Sequence, residues 1–234
     1  MVIKNFTIFG ERNSGTSYLK KILQQMLYID FTQDYGFKHW YIKDLEPRGI
    51  NNTTTDNECV KSINDSDDTL FIVIVRNVYD WVGSMHKKPY HIKNIKGKSI
   101  FEFISNKYIA YEKSCPKGHE NGSKTPWYEN TNHEYPFFME EAENLIQLRN
   151  LKNNHFYNLR NNVKNYYLIR QEHLKEDIHN MLKTYDLKYK FLDLKNYKTP
   201  NKYALDKDTI DFINENLDNL LDETKKIDYI ILKI

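Results

Sequence analysis

Two groups of residues in this chain have types and spacing suited to holding phosphate. The first is Gly10-Glu11-Arg12-Asn13-Ser14-Gly15-Thr16-Ser17, a glycine-bracketed run carrying three hydroxyls. Between a strand and a helix, such a loop directs free backbone N–H groups at one point, where the helix dipole favours an anion. The spacing is nearly that of a P-loop, but Thr16 stands where that motif has its Lys. A nucleotide triphosphatase uses the Lys to reach the β- and γ-phosphates. Without it, the loop suits a single phosphate held by backbone amides and the hydroxyls of Thr16 and Ser17. The plain alternative is an ordinary strand-to-helix turn, and the ordered run of Gly, Ser, Gly, Thr and Ser favours phosphate over it. The second group is Arg76 and Ser84, eight positions apart, which is about two helical turns. An arginine fork and a hydroxyl can together grip a second phosphate. Taken singly, each reads as a surface residue.

The elements that must position these groups are legible around them. An apolar, β-branched and aromatic run (Ile3, Phe6, Ile8, Phe9) stops at Gly10, and Tyr18, Leu19, Ile22, Leu23, Met26 and Leu27 then recur at helical spacing. Thr69–Val75 is continuously apolar, as suits a parallel strand covered on both faces. It places Arg76 at a strand carboxyl end, where open parallel sheets bind ligands. The helical stripe Val78, Trp81, Val82, Met85 follows.

Elsewhere the pattern predicts a short strand over 34–42, a polar connection over 44–68 with a short helix near 56–64, and a helix over 99–113. Residues 114–136, rich in Pro and Gly and carrying Trp127, Tyr128 and Tyr135, read as a lid or insertion loop. A long helix is expected over 138–159, a strand over 166–169, a helix over 172–185, a last short strand over 191–194 and a helix over 206–225. The fold class is α/β, with a central, mainly parallel sheet flanked by helices. One domain spans residues 1–234, with no internal repeat.

Composition sets further bounds. The chain has 234 residues, 40% of them hydrophobic, enough for one sizeable core. A formal charge of +2 argues against nucleic-acid binding driven by overall charge. No apolar run is long enough to span a bilayer, and the first strand begins too early to leave room for a signal peptide. Cys59 and Cys115 are isolated and have no metal-ligand spacing, so no metal is expected and a reducing, cytoplasmic setting is the simplest reading.

The two phosphate-type segments together resemble those of sulfotransferases. Gly10–Leu19 (GERNSGTSYL) is similar to that family's 5′-phosphosulfate loop, whose core reads roughly Lys-Ser-Gly-Thr-Thr. Val75–Ser84 (VRNVYDWVGS) is similar to its 3′-phosphate segment, with Arg76, Asn77, Asp80 and Ser84 on the pattern. Leu168–Leu174 (LIRQEHL) resembles a family strand–helix junction, and Phe212–Tyr229 its C-terminal helix. The resemblance is strong over the first third of the chain and suggestive beyond it.

It implies a nucleotide-kinase-like P-loop fold in a three-layer sandwich, and the donor 3′-phosphoadenosine 5′-phosphosulfate (PAPS). The sulfuryl group passes to an acceptor hydroxyl or amine, on a carbohydrate or another small molecule. By position, Arg12, Asn13, Ser14, Gly15, Thr16 and Ser17 fall to the 5′-phosphate, and Arg76 and Ser84 to the 3′-phosphate. The family usually places Lys or Arg where this chain has Asn13. Either Arg12 swings in, or Lys38 substitutes, or catalysis is slow, because losing a donor aimed at developing charge raises a barrier by several kcal/mol.

Sulfuryl transfer benefits from a general base. Lys38-His39 is similar to a Lys-x-His segment of cytosolic sulfotransferases, one residue shorter, which makes His39 the first candidate. Glu11, His86 and His91 are others. Trp40, Tyr41, Trp127 and Tyr128 are candidate walls for an acceptor, and the basic run 86–98 a candidate greeting for an anionic one. Two rival readings stay open: a P-loop small-molecule kinase, which requires Mg²⁺ and ATP, and a degenerate nucleotide- or glycan-binding protein of the same fold.

Overall fold

The computed structural model describes residues 2–36, 38–39, 42, 45, 61–89, 97–113, 137–190 and 202–218, and the account below concerns these. The expected loop over 114–136, the strand over 191–194, Trp40, Tyr41, His91, both cysteines and the chain after residue 218 lie outside them.

Four parallel strands form the central sheet in the order β2-β1-β3-β6: β1 (Asn5–Phe9), β2 (Asp30–Phe31), β3 (Thr69–Val75) and β6 (Tyr166–Arg170). Period-2 alternation divides their side chains between two apolar layers. Phe6, Ile8, Leu70, Ile72 and Ile74 face α1 (Thr16–Met26) and α5 (Leu174–Thr184), meeting Leu19, Leu23, Met26, Ile178 and Met181. Phe9, Phe71, Val73 and Val75 face the other way, onto Phe156 of α4 (Leu145–Asn158) and Leu159 just after it. The layering is therefore helix, sheet, helix. All seven residues of β3 are buried, as its unbroken apolar run requires.

A third cluster packs α2 (Val78–Lys87), α3 (Ile100–Ser105) and α6 (Lys207–Asn216) against α4 through Val78, Trp81, Val82, Met85, Phe103, Ile104, Leu145, Leu148 and Ile213. β4 (Tyr108–Lys113) and β5 (Phe137–Ala142) pair antiparallel as a separate ribbon. Among the described residues, no helix is long and apolar enough to cross a membrane.

Several expected elements differ. The second strand is Asp30–Phe31, not 34–42, because Gly36 at φ 107 and the turns on either side of it break the extended run. Of the short helix expected near 56–64, residues 56–60 lie outside the described ones, and Ile63–Asp65 form a single 3-10 turn. The helix expected over 99–113 ends at Ser105 and gives way to β4, and the one expected over 138–159 begins only at Leu145, after β5. In both places a capping residue fixes the true start. Ser99 and Glu102 form a reciprocal capping box, and Asn144 accepts from the Gln147 amide.

The sheet order reverses at β1. The chain leaves β1 for β2 on one side and returns to β3 on the other, so the carboxyl ends of β1 and β3 frame the crevice where open α/β sheets bind ligands. Gly10 makes that crevice tight. A Cβ there would lie 2.4 Å from the Ile74 carbonyl oxygen, a backbone atom that cannot turn aside. Gly10→Ala is accordingly expected to lower stability by about 2 kcal/mol, in the range of overpacked cores. Urea unfolding measures this directly, and an unchanged midpoint would contradict the close approach.

Candidate functional site

The loop after β1 is built from the inside. Ser14 Oγ donates to the Glu11 carbonyl at 2.5 Å, and the Ser14 amide donates to the same oxygen at 3.2 Å, closing a tight turn. Asn13 sits at φ 59 and Gly15 at φ 100, both in the left-handed region that Asn tolerates and Gly occupies freely. Gly15 is the N-cap of α1 and offers no side chain, and the first turn of the helix contains no acidic residue. The Leu19 amide donates to the Gly15 carbonyl at 3.0 Å, closing the first turn of the helix, and Thr16 and Ser17 stand at its mouth.

Lys38 brings a cation to that mouth, its Nζ donating to Ser17 Oγ at 2.6 Å. Burial holds the Lys38 ammonium below its ordinary pKa, and the neighbouring Lys20 pushes it the same way. A cation beside a helix N-terminus makes an electrostatic setting that an anion would relieve.

The second group meets the first. Arg76 leaves the carboxyl end of β3 and its Nη1 donates to the Asn13 carbonyl at 3.1 Å. Asn13 in turn reaches along α2, its Nδ2 donating to the Ser84 carbonyl at 3.4 Å, the Met85 sulfur at 3.0 Å and the Lys88 carbonyl at 3.0 Å. These contacts explain why an asparagine suits position 13. Its backbone needs φ above zero, and its side-chain amide supplies a donor to the carbonyl-rich end of a helix. Trp81, also on α2, donates from Nε1 to the Arg12 carbonyl at 2.6 Å. The loop is thus fastened to α2 at residues 12 and 13, and Ser84 lies beside it, half-buried.

Arg12 is paired with its neighbour Glu11. Its side chain is buried, 1% exposed, with Nη1 3.1 Å from Glu11 Oε1, and its own amide donates to the same oxygen at 2.7 Å. Glu11 is buried with it, its Oε2 finding no hydrogen-bond partner among the described residues.

His39 is also beneath the loop. Its Nδ1 is 2.6 Å from the Gly10 carbonyl. A carbonyl only accepts, so the ring carries its proton on Nδ1 and a lone pair on Nε2. Burial first, then the positive charge of Arg12, hold His39 well below its ordinary pKa, and the ring is neutral. His86, by contrast, bonds the Lys98 carbonyl at 2.9 Å, away from the loop.

The sequence reading missed the support supplied by α4 and β6. Arg149, Lys152 and His155 recur at helical spacing, and all three are buried. Arg149 Nη2 donates to the Arg76 carbonyl at 2.9 Å, Lys152 Nζ to the His39 carbonyl at 2.9 Å, and His155 Nε2 accepts from the Ile42 amide at 2.8 Å. From the end of β6, Gln171 presses on Gly15, and Glu172 Oε1 accepts from the Asn77 amide at 2.9 Å. The available signal was that apolar and polar residues are spread around α4 rather than divided between two faces, unlike a helix with one side in water.

The buried histidines give the fold an acid-sensitive side. His155 is lowered to about 3, chiefly by burial and secondly by Lys152. In the unfolded chain it binds a proton near pH 6.5, so below that pH the unfolded state takes up protons that the native state refuses, and stability falls. For His155 alone the loss between pH 7 and 5 is about 2 kcal/mol, and His39 acts in the same direction. Asp80 and Glu172, both raised by burial, oppose this because protonation relieves them in the native state. The melting temperature is expected to fall from pH 7 to 5, and His155→Gln, which keeps an acceptor for Ile42, to flatten that fall. Parallel curves for the two proteins would contradict the assignment.

Comparison with protein-family models, with curated proteins and with solved structures returned no match to this chain. Its function therefore has to be argued from the site.

Proposed function

We propose that this protein is a sulfotransferase that uses 3′-phosphoadenosine 5′-phosphosulfate as donor, in a P-loop-like α/β fold, and acts on a hydroxyl or amine of a carbohydrate or other small acceptor. One observation carries the reading. The Arg76 guanidinium reaches the Asn13 carbonyl, so the two phosphate-type segments share one crevice at the point where the sheet order reverses. A ligand with phosphates at both ends of a nucleoside has a use for that pairing, whereas a single phosphate has no use for the second grip.

The residues present fit such a donor. The uncapped, acid-free mouth of α1, with Thr16, Ser17 and Lys38 around it, suits the 5′-phosphate; Arg76 and Ser84 suit the 3′-phosphate. When bound, the donor supplies an activated sulfuryl group: the acceptor oxygen bonds to sulfur, the bond from sulfur to the 5′-phosphate oxygen breaks, and the acceptor proton passes to a base. In this chain Lys38, rather than Arg12, is the cation positioned at the helix mouth, and it takes the charge-stabilising role. Arg12 serves by holding the loop from below with Glu11. His39 is in the tautomer a base requires, neutral with its lone pair on Nε2, and Gly10 fixes its ring.

The kinase alternative loses its usual anchor at Thr16, where a lysine would meet the β- and γ-phosphates. Calorimetry separates the two. The expected result is micromolar binding of 3′-phosphoadenosine 5′-phosphate without Mg²⁺, and binding of ATP at least tenfold weaker. A preference for ATP would refute the assignment. Transfer of labelled sulfate to an acceptor then distinguishes an enzyme from a binding protein.

A further inference from the structure

The carbonyl of Arg76 and the amide of Asn77 belong to one peptide group, and that group is held at both ends. Arg149 Nη2, reaching up from α4, donates to the oxygen at 2.9 Å, while Glu172 Oε1, at the end of β6, accepts from the nitrogen at 2.9 Å. The first has an ionised donor, the stronger kind of protein hydrogen bond. The first lies in a buried setting and the second in a partly buried one, where such bonds are less exchanged for water than at the surface. Because a peptide is planar, fixing its oxygen and its nitrogen fixes the plane and so limits the directions open to the flanking side chains. One flank is Arg76, whose guanidinium meets the Asn13 carbonyl. The other is Asn77, the cap of α2, whose Oδ1 accepts from the amides of Tyr79 and Asp80.

We infer that Arg149 and Glu172 are positioning residues that clamp the 76–77 peptide and thereby aim the Arg76 guanidinium at a nucleotide 3′-phosphate. This rests on the reading of Arg76 given above. Secondary structure does not account for the clamp. β3 has already ended at Val75 and is paired through Arg170 of β6, and α2 is capped by its own asparagine. The two side chains hold between them the junction that carries Arg76.

The test uses the full chain and two probes, 3′-phosphoadenosine 5′-phosphate and adenosine 5′-phosphate, whose ratio of dissociation constants isolates the 3′-phosphate. Wild type is expected to prefer the bisphosphate by about 30-fold or more, roughly 2 kcal/mol at 1.4 kcal/mol per decade. In Glu172→Leu and Arg149→Met that ratio is expected to collapse to within about threefold, with binding of the monophosphate unchanged. Glu172→Gln, which keeps an acceptor for the Asn77 amide, restores the ratio. Adding Arg76→Met to Glu172→Leu lowers the ratio no further, since both act on one 3′ contact. Variants that keep the wild-type ratio, or lose affinity for both nucleotides alike, overturn the clamp while leaving the donor assignment standing. Wild type that does not distinguish the two probes brings down the donor assignment and the clamp with it. Arg149 also lies against Trp81, so if Arg149→Met fails to fold, the Glu172 pair alone decides.

Discussion

Arg76→Met is expected to weaken binding of 3′-phosphoadenosine 5′-phosphate by roughly 100-fold, with a far smaller effect on adenosine 5′-phosphate. The magnitude follows from what is lost. A hydrogen bond to a charged group contributes ~1.5–3 kcal/mol, and a guanidinium on a phosphate makes one or two in fixed geometry. Met keeps most of the buried stem volume, so the substitution removes charge and donors rather than packing. It also removes the donor to the Asn13 carbonyl, so a modest loss at the 5′ site should accompany the large one. Arg76→Lys recovers charge without the fork and should fall between the two. Calorimetry on all three proteins measures the series. Wild-type affinity in Arg76→Met would remove the second grip and, with it, the case for a bisphosphorylated ligand.

How much of this was legible beforehand depended on how local the cause was. β3 announced itself because a parallel strand covered on both faces needs an unbroken apolar run, and Thr69–Val75 is one. α1 and α5 were legible for the complementary reason, each carrying a single apolar stripe for one side of the sheet. The ribbon β4–β5 was not. Its strands pair across the segment 114–136, and nothing in Tyr108–Lys113 taken alone separates the end of one helix from the start of a strand. The same non-local cause hid the second strand. Asp30–Phe31 is only two residues long and owes its strand character to pairing with Asn5 and Phe6.

The site divides in the same way. Gly10, Gly15 and the hydroxyls between and after them were readable because backbone conformation and helix-end chemistry are written in residue type. Arg76 was readable from its place at a strand end. Asn13 looked like a defect, a missing cation, and only the tertiary contacts turn it into a device. At φ 59, with Nδ2 on the carbonyls of α2, it joins the loop to the helix that carries Ser84. Arg149 and Lys152 show the limit most sharply. Charged residues on a helix are assigned to solvent by default, and only the approach of the 39 and 76 carbonyls from other parts of the chain makes them interior.

Lys38→Met is expected to reduce sulfuryl transfer by about 10²–10³ in kcat, while binding of 3′-phosphoadenosine 5′-phosphate weakens only several-fold. Removing a donor aimed at charge that develops in the transition state has that cost, about 2.7–4 kcal/mol, whereas ground-state contacts made equally throughout affect KM. Lys38 is the side chain that fits the role. Its Nζ stands at Ser17, at the mouth of α1, while Arg12 is sealed beneath the loop with Glu11. The lowered pKa of Lys38 has a consequence for the pH profile. Activity should decline on the alkaline side at lower pH than an ordinary lysine would give, as the ammonium loses its proton, and Lys38→Arg should carry the plateau to higher pH. Comparison with Arg12→Met gives the control. That change strips a buried ion pair and should show first as a lower melting temperature, because an uncompensated Glu11 carboxylate is left in the interior. If Lys38→Met turned over like wild type while Arg12→Met folded normally and lost its chemistry, the roles assigned to the two cations would be reversed.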